Sequence, residues 1–154
     1  MTMVTRKLSI VLAAVATVTS LRDTCVLAAP NDAEDVRNVV ASFATNWNRH
    51  DIDALMTFMA DDCVFESATG PDACGTRYEG RERVREAFAR IFAAFPDVRF
   101  DHARHLVAGD RGVSEWVFTG TTGDGKKVAV NGCDLFTFRT GKIALKSSYF
   151  KTRA

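Results

Sequence analysis

Apolar residues recur at helical spacing in three early stretches and at alternating spacing in five later ones. Val36, Val39, Val40, Phe43 and Trp47 fall on one face of a first helix, and Asn31 or Asp32 is placed to cap it. The Asn48-Arg49-His50-Asp51 break ends that helix. Asp51 then opens a second, short one carrying Ile52, Leu55, Met56 and Met59, which Asp61-Asp62 stop. Cys63–Ser67 reads as a strand, and a Gly/Pro-containing loop runs from Gly70 to Gly75. Gly80 starts a third helix with Val84, Phe88, Ile91, Phe92 and Phe95 on one side, and Pro96 forbids its continuation. Four strands follow over Val98–Val107, Gly112–Thr121, Lys127–Phe138 and Lys142–Phe150, separated by Gly109-Asp110, Gly123-Asp124-Gly125 and Thr140-Gly141. Helices first and a long antiparallel meander afterwards predict an α+β domain, with three helices on one face of a curved sheet.

One carboxylate interrupts this pattern. Val130, Asp134, Phe136 and Phe138 share a face of the third meander strand, so Asp134 is placed among apolar groups. A lone carboxyl there is costly unless it is protonated, paired or hydrogen-bonded. Desolvation would raise its pKa above the reference of about 3.9 and suit it to act as an acid or oxyanion donor. The bland alternative is a structural carboxylate tied to a backbone amide or a lysine. Lys146 is the obvious partner, and the following turn decides whether the two meet. A three-residue turn at Arg139-Thr140-Gly141 sets Lys146 opposite Asp134. A two-residue turn sets Ser147 there and sends Lys146 to the other face.

Charge and composition narrow the function. Arg6 and Lys7 precede an apolar run from Leu8 to about Val18, and Val26-Leu27-Ala28-Ala29 follows, a layout that predicts a signal peptide over residues 1–28 and export to the periplasm or medium. The run is shorter than the roughly 20 residues of a comfortable transmembrane helix. Removing the segment takes Arg6, Lys7, Arg22 and Asp23 from 20 basic and 19 acidic residues, leaving a net charge of −1. No basic face for nucleic acid is legible, and no membrane association is expected after cleavage. The remaining domain, roughly 125 residues, should bury about two-thirds of its unfolded surface. Cys63 and Cys74 could pair across a short loop, worth somewhat under about 3 kcal/mol, while Cys133 reads as a small apolar group. The cysteines with His50, His102 and His105 match no metal-ligand spacing.

Trp47-Asn48-x-His50-Asp51-x-Asp53-Ala54-Leu55, Ala60-Asp61-Asp62-Cys63-Val64-Phe65-Glu66, Tyr78-x-Gly80-Arg81-Glu82-x-Val84-Arg85 and Gly141-Lys142-Ile143 stand in an order and spacing that resemble the nuclear transport factor 2-like superfamily, in its SnoaL-like and ketosteroid-isomerase-like branch. The resemblance spans nearly all of residues 29–154. It implies a cone-shaped barrel with a deep apolar pocket between helices and sheet, frequent homodimers, and proton-transfer enzymes that need no cofactor. Carried over position by position, the ketosteroid isomerase Tyr falls on Phe43, its base on Ser67 and its oxyanion Asp on Asp134. The SnoaL-type cyclase His and Asp fall on Asp134 and Ser148. The limonene epoxide hydrolase Arg, Asp and last-strand Asp fall on Trp116, Phe118 and Ser148. Only the acid at Asp134 survives, so none of these reactions transfers as it stands.

The expectation is therefore a pocket for a small apolar molecule, with Asp134 as the catalytic group. Phe43, Trp47, Phe65, Trp116, Phe118, Phe136 and Phe150 are the ring candidates for its wall, and most of them serve the core as well. Ser67, Ser148 and Lys146 are polar candidates. His102 alternates with Val98 and Phe100, so it reads either as a pocket base or as a satisfied histidine at the sheet edge. A proton-transfer enzyme of isomerase or cyclase type, a non-catalytic carrier and a dimeric interaction module all share this fold. Loss of the family bases at Ser67 and Ser148 weighs toward the carrier.

Overall fold

The computed structural model describes residues 30–152. The segment predicted as a signal peptide, residues 1–28, lies outside the described residues. Helix α1 spans Pro30–Asn48, α2 Ile52–Phe58 and α3 Arg81–Ala94; the strands are β1 Met59–Glu66, β2 Arg77–Glu79, β3 Arg99–Ala108, β4 Arg111–Thr121, β5 Lys127–Arg139 and β6 Lys142–Phe150. The predicted three helices and five strands are all present. Helix α1 already begins at Pro30, a residue suited to a first helical position, so Asn31 and Asp32 fall inside its first turn instead of capping it. Asp51 does cap α2, accepting from the Ala54 amide at 2.9 Å.

The six strands form one sheet in the order β2-β1-β6-β5-β4-β3. Two features correct the expectation of an antiparallel barrel. Strand β1 runs parallel to β6, with Phe65 beside Lys146, so the sheet is mixed. Strands β2 and β3 are its free edges, so the sheet curves without closing. The short strand β2 was not legible because only Tyr78 of its three residues is apolar; Val64 and Phe65 of β1 hold it in register with Glu79 and Tyr78.

Helices and concave sheet face meet in one core. Val40, Phe43 and Trp47 of α1, Leu55 and Met56 of α2, Val84 and Phe88 of α3, and Phe65, Phe100, Phe136 and Ile143 of the sheet are all buried in it. The residues after Trp47 dock α1 onto the free edge β3. The Asn48 side chain donates to the Phe100 carbonyl at 3.1 Å and accepts from the Phe100 amide at 2.7 Å, and the His50 ring meets the Val98 carbonyl at 2.8 Å. That amide imitates a neighbouring strand, so part of the edge is satisfied by a side chain. Arg81 joins the other helices, donating to the Met56 and Met59 carbonyls at 2.8 Å each. Among the described residues the cysteines are free, so Cys63 and Cys74 do not pair: Cys63 is buried in the core and Cys74 sits in the exposed loop.

Candidate functional site

Two irregularities in the sheet set the site. The β5–β6 turn has two residues, Thr140 and Gly141, both at positive φ, and Arg139 pairs with Lys142. This is the turn that should have turned Lys146 outward. A bulge follows at once: Phe138 pairs with Ile143 but Thr137 with Leu145, leaving Ala144 unpaired. The extra residue restores the phase. Asp134 then faces Ser148, Phe136 faces Lys146, and the lysine points to the concave side.

The second bulge lies in β3 between Asp101 and Arg104, with His102 at φ 56°. It reverses the alternation that placed His102 with Phe100. His102 is exposed and lines an outer groove with Arg104, Glu115 and Tyr149, so it does not enter the cavity. His105 takes the inward phase instead, its Nδ1 3.0 Å from the buried Ser114 hydroxyl. Burial, and secondarily Arg37, hold the His105 pKa below the ordinary histidine value. The alternation rule missed this residue because a bulge has no signature in hydropathy.

A cavity of about 550 Å³ opens between the helices and the concave face. Its deep wall is made by Trp47 of α1, Phe65 of β1, Phe100 of β3, Trp116 and Phe118 of β4, and Lys146 and Ser148 of β6, with Ile91 of α3, Phe95 just after that helix, and Val128 and Val130 of β5 beside them. Thr69, Phe150, Lys151 and Thr152, all exposed, stand at its mouth. Of the residues singled out from sequence, Trp47, Phe65, Ser67, Trp116, Phe118, Lys146, Ser148 and Phe150 line this space. Phe43 and Phe136 do not; they stack edge to face behind it, ring centres 6.0 Å apart, as core. The Ser67 hydroxyl is occupied with its own loop, donating to the Thr69 carbonyl at 2.5 Å and accepting from the Thr76 amide at 3.1 Å.

The expected catalytic residue sits one layer back. Asp134 is buried but not in the wall, and its carboxylate accepts three hydrogen bonds. Lys146 Nζ at 2.6 Å and Ser148 Oγ at 2.6 Å share Oδ1, and Trp116 Nε1 at 3.0 Å takes Oδ2. A carboxylate so surrounded by donors suits a counter-ion better than a free acid facing substrate. Lys146, although only 1% exposed, is one of the residues that line the cavity. Its Nζ also donates to Ser148 Oγ at 2.8 Å and lies 4.8 Å from the Phe65 ring centre, 5.5 Å from Trp47 and 5.8 Å from Phe100. Two of its three hydrogens are thereby committed; the third has the rings. Burial pushes the Lys146 pKa below the ordinary lysine value, with the Asp134 carboxylate opposing the shift. Trp47 adds a second donor. Its Nε1 is buried and, among the described residues, has no hydrogen-bond partner. Among the described residues, no Asp, Glu or His lines the cavity, and no cluster of His, Cys, Asp or Glu is placed to hold a metal ion.

The geometry of an open, curved sheet with an apolar hollow under three helices has close relatives. A family model for the SnoaL-like domain matches residues 39–146. The chain belongs to the SnoaL-like family. Among solved structures, this SnoaL-like domain is similar to a nuclear transport factor 2-like protein of unknown function from Mesorhizobium loti, at 29% identity over 82% of this chain and 98% of that one, TM-score 0.67. A protein with a ketosteroid-isomerase-like fold from Catenulispora acidiphila, solved with trimethylamine, is 25% identical over 73% and 85% of the two chains, TM-score 0.65. A polyketide cyclase candidate from Xanthomonas campestris pv. campestris shares the fold at 21% identity, covering 78% and 93%, TM-score 0.70. No curated protein matches the SnoaL-like chain. The family motif around Trp47–Leu55 is thus largely structural here: Asn48 and His50 dock a helix, Asp51 caps the next, and only Trp47 reaches the cavity.

Proposed function

We propose that this SnoaL-like domain binds a small, largely apolar carbonyl compound and moves a proton on it, in the manner of an isomerase or cyclase. The observation that carries the proposal is the polar end of an otherwise ring-lined cavity: Lys146 Nζ, hydrogen-bonded to a buried Asp134, with the unpartnered Trp47 Nε1 in the same wall. Two donor-bearing side chains in the wall of an apolar hollow suit a carbonyl oxygen, and donors of this kind would stabilise it further as it becomes an enolate. The resemblance to a polyketide cyclase candidate agrees with substrates of this class. Lys146, not Asp134, is then the group that meets substrate, and Asp134 holds it and exchanges its proton. The basic, apolar and small-residue order of residues 1–28 supports export of the mature domain.

The test uses 2-tetralone, an apolar ketone with acidic α-hydrogens. It should raise the melting temperature of the wild-type protein, since a ligand that binds only the native state stabilises it. Deuterium should enter its α-positions faster with enzyme than in buffer, by NMR. Lys146→Met/Asp134→Asn should abolish the exchange. Stabilisation without any accelerated exchange favours the second reading, a carrier, which the lack of an Asp, Glu or His in the cavity wall supports. Neither stabilisation nor exchange would overturn both readings.

A further inference from the structure

We infer that Lys146 is a covalent catalyst: its amine condenses with a small apolar aldehyde or unhindered ketone in the cavity to form a Schiff base. The inference rests on the pocket reading above and deepens it. Lys146 is the only lysine among the described residues that is buried; Lys126, Lys127, Lys142 and Lys151 are all exposed. Burial disfavours its ammonium form, and the direct contact with Asp134 gives the proton somewhere to go. Transfer from Nζ to Oδ1 over 2.6 Å exchanges the ion pair for a neutral amine and a carboxylic acid, which frees the Nζ lone pair without a base from solvent. The rings of Trp47, Phe65 and Phe100 around Nζ keep that space apolar and accept a flat carbonyl compound against them.

The step balances on groups at hand. The Nζ lone pair attacks the carbonyl carbon, a C–N bond forms, and the carbonyl oxygen takes up a proton to become a hydroxyl. Asp134, holding the proton received from Nζ, returns it to that hydroxyl, and the C–O bond breaks with loss of water. The water carries off one hydrogen of the amine and the proton from Asp134, the other amine hydrogen stays on nitrogen, and the product is an iminium beside the Asp134 carboxylate. Ser148 Oγ, bonded to both Nζ and Oδ1, offers a short path for these transfers. An iminium draws electrons from the adjacent carbon, so the same lysine would acidify the α-hydrogen whose removal the proposed reaction requires.

The experiment incubates the wild-type protein with 2-naphthaldehyde at neutral pH, follows reversible binding by quenching of Trp47 and Trp116 fluorescence, then adds sodium cyanoborohydride and maps the adduct by peptide mass spectrometry. The expected result is one reduced adduct per chain, on Lys146. It should exceed that on Lys126, Lys127, Lys142 or Lys151 at least about tenfold, because the first three stand away from the cavity that holds the aldehyde and Lys151 stands only at its mouth. Lys146→Met/Asp134→Asn, which removes both charges together, should form no selective adduct. Binding by the wild type with adducts only on the exposed lysines overturns the Schiff-base inference and leaves the pocket reading standing. No quenching and no adduct overturns both.

Discussion

A fully buried lysine is a residue-scale liability that this chain satisfies with a single carboxylate and a hydroxyl. Lys146 is 1% exposed and Asp134 1%, so each depends on the other for solvation it would otherwise take from water. Lys146→Met alone leaves an unpaired buried carboxylate and should lose about 3–5 kcal/mol of stability. Adding Asp134→Asn removes that charge while keeping an acceptor for Trp116 and Ser148, so the double variant should be more stable than the single one. Urea unfolding measures both, and a double variant no better than the single would contradict the ion-pair account. The same pair dictates a pH response. A lysine whose folded pKa lies below its unfolded one is protonated less readily in the native state, so it penalises folding at and below the folded value. The penalty lifts as pH rises toward the ordinary 10.5. The stability of the wild type relative to Lys146→Met/Asp134→Asn should therefore increase between neutral pH and that value. A flat or falling difference would contradict the direction of the shift.

At the scale of elements, strand irregularities place these side chains, and they mark the limit of what the sequence reveals. Period-two alternation correctly put Asp134, Phe136 and Phe138 on the buried face of β5, because that strand runs regularly until its last residues. It failed in β3, where the bulge at His102 exchanges His102 for His105. In β6 a two-residue turn and the bulge at Ala144 compensate, so Lys146 reached the inner face by a route that neither simple register describes. Helices were easier to read, since their apolar faces repeat over several turns and no one-residue slip inverts them. One close approach in the sheet gives a direct check. A Cβ on Gly132 would sit 2.4 Å from the Trp116 ring and 2.4 Å from the Tyr149 carbonyl, so the strand pair β4–β5 has room there only for glycine. Gly132→Ala should push the Trp116 indole away from Asp134, shift its fluorescence and cost about 1–3 kcal/mol. Gly109→Ala serves as control, since nothing lies within 4 Å of its Cβ, although its φ of 59° carries a backbone cost of about 1–2 kcal/mol. Equal stability losses with an unchanged Trp116 spectrum would show that the close approach does not matter.

Taken as a whole, the molecule presents the two faces of one sheet to different tasks. The concave face holds the cavity, and alternation sends its neighbours Leu106, Val113, Cys133, Leu135 and Tyr149 to the convex face. Leu106 is 65% exposed, Tyr149 52% and Leu135 40%, a concentration of large apolar groups on a surface that none of the three described helices covers. Contiguous apolar surface of this kind marks an interaction site more often than it is left to water. A second copy of the chain suits it, because a two-fold axis through β5 would set Leu135 and Tyr149 against their equivalents and keep both cavity mouths free. Such a contact needs about 1,600 Å² in total to be stable. Sedimentation equilibrium should find the wild type as a dimer at micromolar concentration and Leu135→Arg as a monomer, because two guanidinium groups would then meet across the axis without counter-ions. Since Leu135 faces away from the cavity, the monomeric variant should still be stabilised by 2-tetralone. A monomeric wild type would remove the dimer, while loss of ligand response in Leu135→Arg would show that the two faces of the sheet are coupled.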